Sequence, residues 1–161
     1  DVLFSRKIFL RAAEFEYFSD ELQNIKSRNT LGLALGYYFI NDKRTSWDIT
    51  LGPSYQETKY LDTVEHQIEH SAVVSVGTLL EYEFSSRIDF VFDYTLQFVN
   101  KESGKRLNTI RTGLSFDLEN DIDFDVSFFL DRIVEPSMGI DNILPEENDY
   151  RLVLSIGYSF K

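Results

Sequence analysis

The sequence predicts an all-β protein: an antiparallel up-and-down transmembrane β-barrel of about eight strands, with residues 1–161 forming one domain. Three observations lead there. Apolar and polar residues alternate with period two along most of the chain, the pattern of strands whose two faces meet different surroundings. The alternating segments run roughly 10–14 residues, longer than the usual strand of a soluble sheet and long enough for a tilted membrane strand. Short turns alternate with longer polar connections, as in outer-membrane barrels.

The first strand lies roughly between Arg6 and Phe18. Its end sets Phe15 and Tyr17 against Glu14 and Glu16, but Arg11 shares parity with Phe15, which predicts a bulge or a snorkelling arginine. From Ser27 to Ile40, the bulky Leu31, Leu33, Leu35, Tyr37 and Phe39 alternate with Arg28, Thr30, Gly32, Ala34 and Gly36. From Thr45 to Gln56, Trp47, Ile49, Leu51, Pro53 and Tyr55 oppose Asp48, Thr50, Gly52 and Ser54. Pro53 has no N–H for a ladder, so it predicts an edge or a bulge. Apolar parity flips in Ser71–Phe84, and alternation continues through Ile88–Val99, Asn108–Glu119, Ile122–Asp131 and Asp149–Phe160. Asn41–Arg44, Ser85–Arg87 and Glu119–Asp121 read as tight turns; Ser19–Lys26, Leu61–His70, Asn100–Leu107 and Glu135–Asn148 read as longer loops.

Side-chain volume decides which face points inward. The apolar face carries most of the Phe, Tyr, Leu and Ile, whereas the polar face carries Gly32, Gly36, Gly52, Gly77, Gly113 and Gly157 with many Ser and Thr. The interior of a barrel of about eight strands is just wide enough for its side chains, so the small face fits inside and the bulky face outside, against lipid. Lysines sit at strand ends and in loops rather than on the polar face, where a soluble barrel would place them. Aromatics near the short turns (Tyr37, Tyr38, Phe39, Trp47, then Tyr82, Phe84, Phe90) fit an interfacial girdle. The alternative is a soluble, lipocalin-like binder of apolar ligands, which shares the meander of hairpins but needs the apolar face inside.

Composition narrows the function classes. There is no cysteine, hence no disulfide, thiolate metal site or Cys nucleophile. A net charge of −11 with no basic cluster argues against nucleic acid as a partner. No apolar run approaches a transmembrane helix, which leaves a barrel open. The only histidines, His66 and His70, fall in a loop; helical spacing there would suit a metal, but a solvated polar loop is the simpler reading. His70 beside Ser71 makes no nucleophile–base pair, since adjacent strand residues face opposite sides. The acidic loop with Asp141, Glu146, Glu147 and Asp149 lacks EF-hand spacing. The expectation is therefore no enzyme, no cofactor and no metal.

An inward polar face is strongly acidic. Arg28, Arg111 and Arg151 are its main cations, set among Asp48, Glu81, Asp93, Asp117 and Asp125, and in a closed barrel these eight residues form one interior charge network. In a wider barrel the same residues would line a narrow cation-preferring channel. The last strand alternates Leu154, Ile156, Tyr158 and Phe160, resembling the C-terminal assembly signal of bacterial outer-membrane proteins, which is read by strand-edge pairing; Lys161 departs from it, since the aromatic is usually last. The expected partners are outer-membrane lipid, lipopolysaccharide and the barrel assembly machinery, around a monomer.

Two segments carry a family resemblance. Phe18–Asp42 holds Asp20, Gln23, Ile25 and Arg28 and then Gly36-Tyr37; Trp47–Tyr60 holds Gly52-Pro53-Ser54-Tyr55. These resemble the YdiY-like family of salt-induced outer-membrane proteins, a β-barrel family without established activity, although Ala34 stands where the hairpin motif has its first glycine. The resemblance implies a location in the outer membrane of a Gram-negative bacterium and a structural or envelope-stress, salt-response role. It implies no chemistry. Family members begin further upstream with extra strands, so the chain is either a barrel of about eight strands or the C-terminal part of a larger one of about twelve.

Overall fold

A computed structural model describes residues 1–21, 24–61, 68–99, 106–118, 122–134 and 146–158. Among them are nine strands: β1 (Val2–Leu3), β2 (Ile8–Asp20), β3 (Ile25–Asn41), β4 (Thr45–Tyr60), β5 (Ile68–Ser85), β6 (Ile88–Phe98), β7 (Arg106–Leu118), β8 (Ile122–Val134) and β9 (Asn148–Tyr158). Every strand pairs antiparallel with its neighbour in sequence, giving one up-and-down sheet in the order β1 to β9. Eight of the nine are long and match the periodic segments to within a few residues; β1 is a two-residue addition. The sheet curls on itself. Gln97 on β6 donates to Glu16 on β2 at 3.0 Å, across the inside and 81 positions away in sequence. Among the described residues the hydrogen-bonded ladder ends at β1 and β9, which are the sheet's edges.

The apolar face is the outer one. Leu31, Leu33, Leu35 and Phe39 are exposed on β3, whereas Arg28, Thr30 and Ala34, of the opposite parity, are buried. On β4, Leu51 is 57% exposed and its neighbour Thr50 only 9%. A soluble barrel with an apolar interior requires the opposite parity.

Away from irregularities at the ends of the β3–β4 and β5–β6 ladders, constant register stacks the inward side chains in rows across the sheet. One row runs Asp48–Leu79–Asp93–Arg111–Phe129–Arg151. The next toward the loop ends is Gly36–Thr50–Gly77–Thr95–Thr109–Asp131–Asp149. This second row is thin, and Phe9 fills it. The β2 ladder slips between Arg11 and Glu14, where β2 advances three residues against two on β3. That bulge is the one Arg11 predicts, and it turns Phe9 and Arg11 inward while Phe15 and Tyr17 face out. Phe9 is fully buried, its ring lying on Gly36 so closely that a β-carbon there would stand 2.1 Å from Cζ. Gly36→Ala should therefore destabilise by about 1–3 kcal/mol through overpacking. Adding Phe9→Leu should recover much of that loss, and urea titrations of the four-member cycle check it; additive costs would mean the ring does not set the glycine requirement.

Two sequence expectations are corrected. Pro53 marks neither an edge nor a bulge: β4 is an interior strand, Pro53 pairs with Val74 on β5, and the β3 register is the same on both sides of it. The irregularity is a gap in the β3 ladder between Gly32–Ser54 and Leu35–Leu51, where the backbones crowd so that a β-carbon on Gly52 would lie 1.9 Å from the Leu33 carbonyl oxygen. The expected long loop Ser19–Lys26 shrinks to positions 21–24, because both strands extend further than their alternation does. Asn24 takes φ 59° and donates its N–H to the Glu21 carbonyl at 3.1 Å, a left-handed turn that asparagine tolerates. The predicted turn 119–121 and most of the loops 100–107 and 135–148 lie outside the described residues.

Candidate functional site

The interior divides into two halves. Toward the loop ends it is packed. Ile25, Leu107 and Ile133 form a buried apolar cluster with Phe18, Tyr60 and Val99 against it. Arg28 is 5% exposed, its Nε 3.4 Å from the Thr58 hydroxyl and its guanidinium 5.6 Å from the Phe18 ring centre. Glu16, Glu69 and Asp131, which come from β2, β5 and β8, act on it electrostatically, so its charge is shared among three other strands of the curled sheet. Gln56, fully buried, donates to the same Thr58 hydroxyl at 3.2 Å. Arg151 pairs with Asp131 and, at 3.0 Å, with Asp149.

A middle layer follows in the Asp48 row. Arg11, brought inside by the bulge, bonds Asp1 at 3.1 Å and reaches Asp48 at 3.9 Å. Arg111 stands beside Asp93 in register. Arg111 and Arg151 both lie over the ring of Phe129, at 5.8 and 5.5 Å.

Toward the short turns the interior opens into a cavity of about 790 Å³, walled by Ser46, Glu81, Gly113, Asp125 and Ser127 and roofed by Arg111 and Phe129. Small side chains leave this space empty where the loop half is filled. Five carboxylates and three cations line it among the described residues. Glu83 directly opposes Asp89, and Asp117 opposes Asp123. Asp125 accepts a hydrogen bond from Ser115.

The eight residues read from sequence as one network thus fall into separate groups. Arg28 belongs to the packed loop half; Asp48, Asp93, Arg111 and Arg151 share the middle row, from which Arg151 reaches Asp131 and Asp149; Glu81 and Asp125 line the cavity, and Asp117 is exposed beyond it. Parity places all eight on one face but does not say which rows meet. The sequence reading did not identify Phe9, Gln97 and Phe129 as interior partners, because none is charged. Arg11 shows in the sequence through its parity alone.

The outer surface has its own order. Its charged strand positions, Glu57, Lys59, Arg106 and Arg132, lie at the loop ends of β4, β7 and β8. Below them the face is apolar, and polar groups pair along it: the Trp47 indole N–H donates to Thr78 at 3.0 Å, Thr78 donates to the Asp48 carbonyl at 2.7 Å, and the Tyr94 hydroxyl donates to Asn108 at 3.2 Å. His70 also faces outward, its Nδ1 2.8 Å from the Tyr55 hydroxyl, whereas Ser71 is buried on the other side; His66 lies outside the described residues. Leu154, Ile156 and Tyr158 of the assembly signal are exposed on edge strand β9, and Phe160 lies outside the described residues.

The family model described as a protein of unknown function, DUF481, matches residues 1–160. No curated protein matches the chain.

Proposed function

The chain belongs to the DUF481 family, and from that premise we propose that it is a bacterial outer-membrane β-barrel with a structural, envelope-stress role, carrying no catalysis and no cofactor. The observation that carries this reading is the outer band. It spans eight residue steps on β4 (Trp47 to Tyr55) and twelve on β5 (Ala72 to Phe84) without a charge. That is about 26–40 Å along a strand at ~3.3 Å per residue. A tilt of ~35–45° reduces it to about 20–30 Å, around the ~25 Å apolar band of such barrels. Within the band the indole N–H of Trp47 and the hydroxyl of Tyr94 are satisfied by neighbours on the same face, as hydrocarbon surroundings demand. The exposed edge of β9 is suited to capture by the assembly machinery through strand pairing.

Purified protein should need detergent and show heat-modifiable migration; a soluble, detergent-free monomer would sink the reading. The packed loop half supports a barrel that does not conduct. Folded protein in planar bilayers should therefore stay silent, and steady conductance steps would instead select the channel reading.

A further inference from the structure

We propose that the sheet at Pro53 binds one buried water molecule on its inner face, and that this water donates to the Leu33 carbonyl the hydrogen bond that the proline cannot. The need for a donor follows from the ladder. Odd residues of β4 turn their backbone groups toward β3 and even ones toward β5, as the Asp42–Thr45 and Arg44–Glu83 bonds at the start of the strand show. In the β3–β4 register Leu33 therefore stands opposite Pro53 as a pair that would exchange two hydrogen bonds. Pro53 accepts but has no N–H to give, and the ladder breaks there, between Gly32–Ser54 and Leu35–Leu51. Both β3 and β4 are interior strands, so the Leu33 carbonyl cannot be turned to an open edge. No side chain among the described residues donates to it. A backbone carbonyl inside a sheet without a donor is costly.

The position of the oxygen shows from which side the donor comes. It leans over Gly52, 1.9 Å from where a β-carbon would stand, and β-carbons at even positions of β4 point inward. On that inner side lies a void of about 20 Å³, room for one water. Its lining includes Leu33 and Gly52 together with the hydroxyl-bearing Thr50, Ser54, Ser75 and Thr95. The Ser54 and Ser75 oxygens are 3.4 Å apart, a long contact that leaves both with capacity for another partner. The Thr50 hydroxyl lies over Gly77, 2.7 Å from the place of its missing β-carbon. A water needs two to four polar partners, and the carbonyl with these hydroxyls supplies them.

The occupant is neutral and small. No carboxylate lines the void, so a cation there would be buried without a counter-charge. The void straddles the row that Phe9 fills and the next one, Gly52–Ser75–Gln97, from which Gln97 crosses to Glu16. These two layers separate it from the turn-end cavity on one side and the packed loop half on the other. Gly52, Pro53 and Ser54 then act together: the proline withholds the donor, the glycine makes room for the carbonyl, and the serine lines the seat of the water. Because the carbonyl faces the interior, this inference stands apart from the membrane reading.

The test uses the full chain folded in deuterated detergent. Nuclear Overhauser spectra should show a long-lived water at amides lining the void, Gly52 and Gly77 among them, and Ser75→Val, which fills the void and removes a hydroxyl, should abolish those signals. Urea titrations of a four-member cycle supply a second readout. Ser75→Val should lower the folding equilibrium constant about tenfold or more while Pro53 is present, by leaving the carbonyl without a donor. In the Pro53→Ala background, where the alanine N–H completes the ladder, the same replacement should have a several-fold smaller effect. No long-lived water in the wild type, or an equal effect of Ser75→Val in both backgrounds, overturns the proposal. So does a melting point that falls when sodium chloride is replaced by choline chloride at equal concentration, which would make the occupant a small cation.

Discussion

Leu51→Arg is expected to lower the stability of the lipid-folded protein by about 2–4 kcal/mol, the cost of an arginine on a barrel's lipid face at mid-bilayer. Leu51 lies on the outer face of β4 in the row Leu35–Leu51–Val76–Leu96, away from both the charged loop ends and the aromatic residues near the turns. Its 57% exposure makes the experiment decisive. In water, replacing an exposed leucine by arginine changes stability by no more than about 0.5 kcal/mol. In lipid the same change drives a charge into hydrocarbon. Glu57→Arg, on the same face of the same strand but at the loop end, provides the control and should cost only about 0–1 kcal/mol. Urea titrations of folding into lipid vesicles measure both. An unchanged midpoint for Leu51→Arg would mean that the outer face does not meet lipid.

That the leucine points outward is legible from the sequence, and the reason is physical. Strand parity has a fixed period of two, so a run such as Leu31, Leu33, Leu35 must share a face, and the glycines opposite can only be on the crowded side. Even the departure at Arg11 is legible, because a bulge is the one event that reverses parity within a strand. Parity says nothing, however, about offsets between strands. Whether Asp131 meets Arg28 or Arg111 depends on the register of five ladders and on the stagger of a curled sheet. Parity puts the eight charges on one face and cannot say which of them meet, and the structure separates a packed half from an open one. Phe9 was illegible for a related reason: an aromatic inside a small barrel contradicts the volume rule, and it fits only because Gly36 lies beneath it. Pro53 misleads because the missing N–H is accommodated as a ladder gap on one side while pairing on the other continues.

Separating the halves gives the two conspicuous arginines different weights, and this leads to the second large expected effect. Arg28→Ala should cost about 3–5 kcal/mol, the usual penalty for removing one partner of a buried charge cluster. At 5% exposure its guanidinium is the cation within reach of Glu16, Glu69 and Asp131 together, and it also donates to Thr58. Deleting it removes the buried positive charge that the three acids share and leaves them to Gln97, Tyr60 and Arg151, of which only Arg151 is charged. Arg151→Ala should cost no more than about 1 kcal/mol, because that side chain is 47% exposed on an edge strand where water replaces it. Arg28→Lys should fall between the two. It restores the charge but not the planar fork that serves several acceptors at once. Urea midpoints at unchanged slope would establish the ranking. The same variant tests the closure of the loop half: with the Arg28 layer gone, Gln56 and the Ile25–Leu107–Ile133 cluster are, among the described residues, what stands between the cavity and the loop side. If Arg28→Ala is as stable as the wild type and still silent in planar bilayers, the arginine is neither the tie nor the seal assigned to it.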